Sequence, residues 1–148
     1  MPDSFVPDGF VVPLRLDGDG FRLEPLGPEH NDRDLAAWTS SIEHIRATPG
    51  FTRRWPPAEG MGSAENLADL VRHAQDFAAR SGFAFTVLDG EEVIGCVYLY
   101  PDWDDPTVTE VRSWVRADRA ALDRPLYEAV GAWLAADWPF RKVAYGAR

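Results

Sequence analysis

The chain has 148 residues, 45% hydrophobic and 26% charged, which suits one globular domain with a single core. Its formal net charge of −9 opposes a nucleic-acid partner, because neutralising phosphates needs clustered Lys and Arg. No stretch reaches the roughly 18–20 unbroken apolar residues of a membrane helix, and the start Met-Pro-Asp-Ser-Phe lacks the marks of a secretory signal. Cys96 is the single cysteine, which excludes an internal disulfide and a thiolate zinc cluster and leads to the expectation of a cytoplasmic setting.

Residues 1–10, with Pro2, Pro7 and Gly9, read as a loose arm. Apolar-rich runs at 11–16 and 21–26 flank Asp17-Gly18-Asp19-Gly20 and predict a hairpin whose Pro13-bearing strand lies at a sheet edge. Leu35, Trp38, Ile42 and Ile45 then recur at helical spacing and predict a helix over 32–47, stopped by Thr48-Pro49-Gly50. A loop over 49–62 carries Phe51, Arg53, Arg54 and Trp55. Ser63 is placed to cap the next helix, with Leu67, Leu70, Val71, Ala74, Phe77 and Ala78 as its buried stripe and Gly82 at its end.

Strands are expected over 83–88 and 93–100, around the tight-turn dipeptide Asp89-Gly90. The second is apolar on both faces, with Val93, Val97 and Leu99 on one and Ile94, Cys96, Tyr98 and Tyr100 on the other. It therefore belongs inside the sheet. An acidic loop over 101–106 precedes a strand over 107–115. Asp123 reads as the N-cap of a last helix, with Pro125 in its first turn and Leu126, Val130, Trp133 and Leu134 inward. Trp138-Pro139 ends that helix before a final strand within 140–148. The order β-β-α-α-β-β-β-α-β is an α/β (α+β) architecture: a mixed, mostly antiparallel sheet flanked by helices, in one domain over 1–148.

That order, together with three local strings, resembles the GNAT superfamily of N-acetyltransferases. Glu92-Val93-Ile94-Gly95-Cys96-Val97-Tyr98-Leu99 is similar to the family's second meander strand. Thr109-Glu110-Val111-Arg112-Ser113-Trp114-Val115 and Arg124-Pro125-Leu126-Tyr127-Glu128-Ala129-Val130 resemble the strand and crossover helix of the branch that acetylates ribosomal-protein N-termini. The resemblance implies acetyl-CoA as co-substrate and an amine acceptor, small molecule or peptide. It implies pantetheine along Ser113, Trp114 and Val115, phosphates near residues 116–123 with Arg116, Arg119 and Arg124, and Glu110 as general base. It implies no metal.

The sequence also departs from the family. The loop Arg116-Ala117-Asp118-Arg119-Ala120-Ala121-Leu122-Asp123 has no glycine, whereas the family's phosphate loop uses glycines for close backbone approach. Few residues follow the expected last strand, so a sheet edge is left for which the N-terminal hairpin and a second copy of the chain, in a homodimer, are the candidate covers. Each singled-out residue has a plainer reading. Glu110 could serve as a strand carboxylate paired with Arg112, the arginines as surface ion pairs, and Trp114 as a core aromatic. Asp102, Asp104 and Asp105 read as a solvated turn, Cys96 as an inert buried thiol, and His30, His44 and His73 as scattered surface or satisfied polar groups. A non-catalytic module of the same fold, binding a small molecule or protein partner, is the alternative function.

Overall fold

The computed structural model describes residues 4–51 and 55–148; Arg53 and Arg54 of the 49–62 loop lie outside them. One six-stranded sheet runs in chain order, β1 (Leu16–Gly18), β2 (Phe21–Pro25), β3 (Phe83–Asp89), β4 (Glu92–Pro101), β5 (Val108–Val115) and β6 (Lys142–Tyr145). Neighbours are antiparallel except β5 and β6, which are parallel. Between β2 and β3 lie α1 (Asn31–Thr39), α2 (Ile42–Arg46) and α3 (Ser63–Ala78), and between β5 and β6 lies α4 (Asp123–Asp137). The expected mixed architecture is the one observed.

Two cores sit on opposite faces of the sheet. On one, Phe83, Phe85, Val97, Leu99, Val111 and Val115 meet Leu126, Val130, Trp133 and Leu134 of α4, as the helical spacing predicts. On the other, Ala84, Cys96, Tyr98 and Trp114 meet Trp38 of α1, Ile45 of α2 and Leu70 of α3. β4 is buried from Val93 to Leu99, as expected of an interior strand.

Its face assignment differs from simple alternation. Val87 pairs with Gly95 but Leu88 pairs with Val93, so Ile94 is an extra residue in a β-bulge. The bulge flips the strand end: Val93 joins Cys96 and Tyr98, while Ile94 joins Val97 and Leu99. Gly95 is required beside it, because a Cβ there would run into the backbone carbonyl of Trp114.

Several expectations at element ends are corrected. The hairpin's first strand is only Leu16–Gly18. The presumed loose arm is packed from residue 4: Val6 is buried, and Phe5 stacks on Phe83 and Phe140. The helix expected over 32–47 breaks at Ser40-Ser41, where Thr39 Oγ1 and Ser40 Oγ donate back to the carbonyls of Leu35 and Ala37. Ser63 opens α3 instead of capping it. Leu67 and Val71 are exposed, and α3 turns Asn66, Leu70, His73 and Phe77 inward instead. Arg80, at φ 60°, takes the left-handed position after α3 in place of Gly82. That strain is held by its guanidinium, which donates to the carbonyls of Pro7 and Phe10. Asp123 is the first residue of α4, with Leu122 at the cap.

Gly95→Ala is expected to destabilise the fold by about 2–3 kcal/mol, since backbone and not a side chain must yield. Gly131→Ala, on open helix surface within α4, is expected to be neutral or to stabilise by up to about 1 kcal/mol. Urea denaturation of both variants reads the contrast.

Candidate functional site

β5 and β6 run together from Val108 beside Lys142 to Val111 beside Tyr145, and then part. Beyond that point Ser113, Trp114 and Val115 are paired with Val97, Cys96 and Gly95 of β4. Past Val111 the pairing with β6 ends, and Arg148 packs against Ser113 there. Its Nε lies 2.7 Å from Asp123 Oδ2, and its Nη2 donates to the Ser113 carbonyl at 2.8 Å and to Ser113 Oγ at 3.2 Å. The guanidinium also lies over the rings of Tyr127 and Tyr145, leaving the side chain 4% exposed. The Tyr145 hydroxyl is 2.5 Å from Ser113 Oγ, and burial pushes its pKa up to about 12.

The fold as a whole is similar to those of solved acetyltransferases. A ribosomal-protein-alanine acetyltransferase from Vibrio fischeri matches with a TM-score of 0.71 at 10% identity, over 90% of this chain and 73% of that one. The apo form of RimL, a ribosomal alpha-N-protein acetyltransferase, matches with a TM-score of 0.69 at 10% identity, over 95% and 75%. The microcin self-immunity acetyltransferase MccE, solved with acetyl-CoA and AMP, matches with a TM-score of 0.66 at 11% identity, over 86% and 69%. The chain has the GNAT fold. No protein-family model and no curated protein matches its sequence.

Within this GNAT fold the residues singled out from the sequence fall into two groups. Ser113, Trp114 and Val115 are fully buried, backbone included. Trp114 donates from Nε1 to the Tyr98 hydroxyl at 3.1 Å, a core contact. The arginines are all paired with carboxylates. Arg116 lies 2.6 Å from Glu92 and 2.8 Å from Asp118, Arg119 lies 2.9 Å from Asp89, and Arg124 lies 3.1 Å from Glu128 one turn along α4. The glycine-free segment winds into a 3-10 helix over Ala117–Leu122, its first N–H bonded to Ser41 Oγ at 2.8 Å. Glu110 is partly exposed and forms an ion pair with Arg112, its Oε1 lying 3.2 Å from Arg112 Nε. Asp102 caps its own turn by accepting the N–H groups of Asp104 and Asp105. Burial drives the Cys96 thiol far above its ordinary range, which keeps it protonated.

Sequence reasoning missed the second feature of the site. A cavity of about 180 Å³ lies on the α1–α3 side of the sheet, lined by Asp34, Asn66, His73, Phe51, Trp55, Tyr98 and Arg112 among others. Phe51 and Trp55 come from the loop over 49–62. Asp34, Asn66 and His73 carry no motif. Their signal was polar side chains at helical spacing on the inward face of α1 and α3. Asn66 Oδ1 accepts from Trp38 Nε1 at 3.0 Å, and its amide donates to Asn31 Oδ1 at 2.9 Å and Asp34 Oδ2 at 3.1 Å. His73, expected as a surface or satisfied residue, lines the cavity. Its Nδ1 lies 2.7 Å from the Tyr100 hydroxyl, which donates to Asp76 Oδ2 at 2.9 Å. With the tyrosine proton committed to Asp76, the imidazole is the donor to Tyr100 and Nε2 keeps its lone pair.

Burial in the cavity disfavours the charged forms of both Asp34 and His73. Desolvation raises the Asp34 pKa to about 6, assisted by the nearby Asp69 charge and opposed by the Asn66 hydrogen bond. Desolvation lowers His73 to about 4, assisted by the charges of Arg72 and Arg112 and opposed by those of Asp76 and Asp69. Between the ordinary 3.8 and about 6, folded Asp34 binds more protons than unfolded, so its contribution to stability falls as pH rises through that window. For His73 the unfolded chain binds more protons between about 4 and 6.5, so its contribution rises through nearly the same window. The two slopes oppose each other.

Asp34→Asn keeps an acceptor for Asn66 and removes one slope. The variant is expected to be more stable than the parent at pH 7, by on the order of 2 kcal/mol. The gain should vanish near pH 4, and urea midpoints measured across pH 4–7 read both effects.

Proposed function

We propose that the chain is an acetyl-CoA-dependent N-acetyltransferase acting on a small-molecule or peptide amine. The observation that carries this reading is the parting of β5 and β6. It leaves the backbone edge of Ser113, Trp114 and Val115 without a β6 partner, and a pantetheine chain would add its amides there once the packing that now buries these residues opens. In this reading Arg116, Arg119 and Arg124 would meet the phosphates and Glu110 would take the proton of the attacking amine, directly or through water. The neutral amine forms the new C–N bond at the thioester carbonyl, the C–S bond breaks, and the thiolate leaves.

In the conformation described, the fit is partial. Arg148 already occupies the Ser113 carbonyl, and the three arginines already have carboxylate partners. Half-buried Asp123, whose buried Oδ1 has no hydrogen-bond partner among the described residues, would face any phosphate at the start of α4. Acetyl-CoA binding therefore requires Arg148 to withdraw. The same contact favours a second reading, in which the strand edge stays covered and the fold serves as a non-catalytic module for a small molecule or partner.

Calorimetric titration with acetyl-CoA separates the two. The transferase reading expects saturable heat, strengthened about tenfold or more in Arg148→Ala, which removes the competing side chain. Absence of heat from both proteins at about millimolar co-substrate would select the non-catalytic reading. If turnover is found with any amine, Glu110→Gln is expected to lower kcat by about 100-fold or more while leaving KM for acetyl-CoA nearly unchanged.

A further inference from the structure

Among the described residues the cavity between α1, α3 and the sheet has an uneven polar lining. Asp34 is 4% exposed, no cation pairs with it, and only its Oδ2 carries a hydrogen bond. A buried carboxylate without a counter-ion opposes folding and persists where a ligand supplies the missing charge. Phe51, Trp55 and Tyr98 wall the same space, and aromatic faces attract an ammonium group.

A guanidinium belongs to the same lining. Arg112 lies 5.1 Å from the Phe51 ring centre and 5.3 Å from that of Tyr98. It engages Glu110 through Nε, while its terminal nitrogens carry no hydrogen bond among the described residues. Among the described residues the other charges of the lining pair off, Asp69 with Arg72 at 2.9 Å, and burial favours neutral His73. A simple anion would meet Asp34, and a simple cation would meet Arg112. At about 180 Å³, the share of about six water molecules, the space is smaller than a drug-sized site.

We propose that this cavity binds a small zwitterion of the free amino-acid class, its ammonium group held at Asp34 and its carboxylate at Arg112. As the acceptor of acetyl transfer this ligand rests on the reading above; as a ligand it does not. The test therefore omits acetyl-CoA.

The full chain is titrated by thermal shift and calorimetry with each of the twenty L-amino acids. Any binder is then compared with its decarboxylated amine and its N-acetyl derivative. At least one amino acid should bind with Kd below about 1 mM. Binding should weaken about tenfold or more in Asp34→Asn and in Arg112→Gln, and to the same degree for both derivatives. Asp104→Asn, in the exposed acidic turn, should leave it unchanged. No response to any amino acid at about 10 mM overturns the proposal, as does a binder indifferent to Asp34→Asn or to loss of its own carboxylate. Amino-acid binding without acetyl-CoA binding would sustain the site while removing the transferase reading.

Discussion

The carboxamide of Asn66 ties the helical layer to itself. With one side chain it accepts from the indole of Trp38 and donates to Asn31 and Asp34, so α1 and α3 are joined by three buried hydrogen bonds. Asn31 extends the link to Ser63 at the start of α3. In a low-dielectric layer such a network is stabilising only when every member is satisfied, and Asn66 meets that condition through both its oxygen and its amide nitrogen. The constraint also fixes the rotation of α3. With Asn66 turned inward, Leu70, His73 and Phe77 must follow, and Leu67 and Val71 are left in solvent.

That rotation is what makes a site. It places His73 against Tyr98 and Tyr100 and holds Asp34 beneath the aromatic layer of Phe51 and Trp55. Two groups whose charged forms are both disfavoured then share one small space, and their pH dependences cancel over nearly the same interval. The arrangement sacrifices stability at neutral pH for a polar cavity in what would otherwise be an apolar layer.

On the opposite side of β5 the governing constraint is charge pairing. An acidic chain with clustered arginines satisfies them at home: Glu92 serves both Arg116 and Arg119, and Asp123 receives Arg148 from the segment after β6. These partners come from different turns and strands, so the basic stretch that looked available to an anionic ligand is largely neutralised by its neighbours. The missing glycines have a matching structural consequence, a 3-10 segment anchored on Ser41 at the break between α1 and α2.

The element order, the interior position of β4, the inward face of α4 and the short turn between β3 and β4 were legible in the sequence. They depend on local periodicity and turn chemistry, which a run of residues carries within itself. Glu110 and Ser113 to Val115 were likewise placed on one strand by their neighbours alone. The bulge at Ile94, the rotation of α3, the break at Ser40-Ser41 and the seating of Arg148 were not legible. Three of these are decided by atoms distant in sequence: the Trp114 carbonyl against Gly95, Trp38 against Asn66, and Ser113 and Asp123 around a guanidinium; the break instead follows from Thr39 and Ser40 donating back to the carbonyls of Leu35 and Ala37, which spacing alone did not reveal. The sequence by itself thus determined the scaffold of this protein. Only the tertiary structure decided which polar side chains that scaffold buries, because desolvation and hydrogen-bond satisfaction are settled by packing partners and not by spacing.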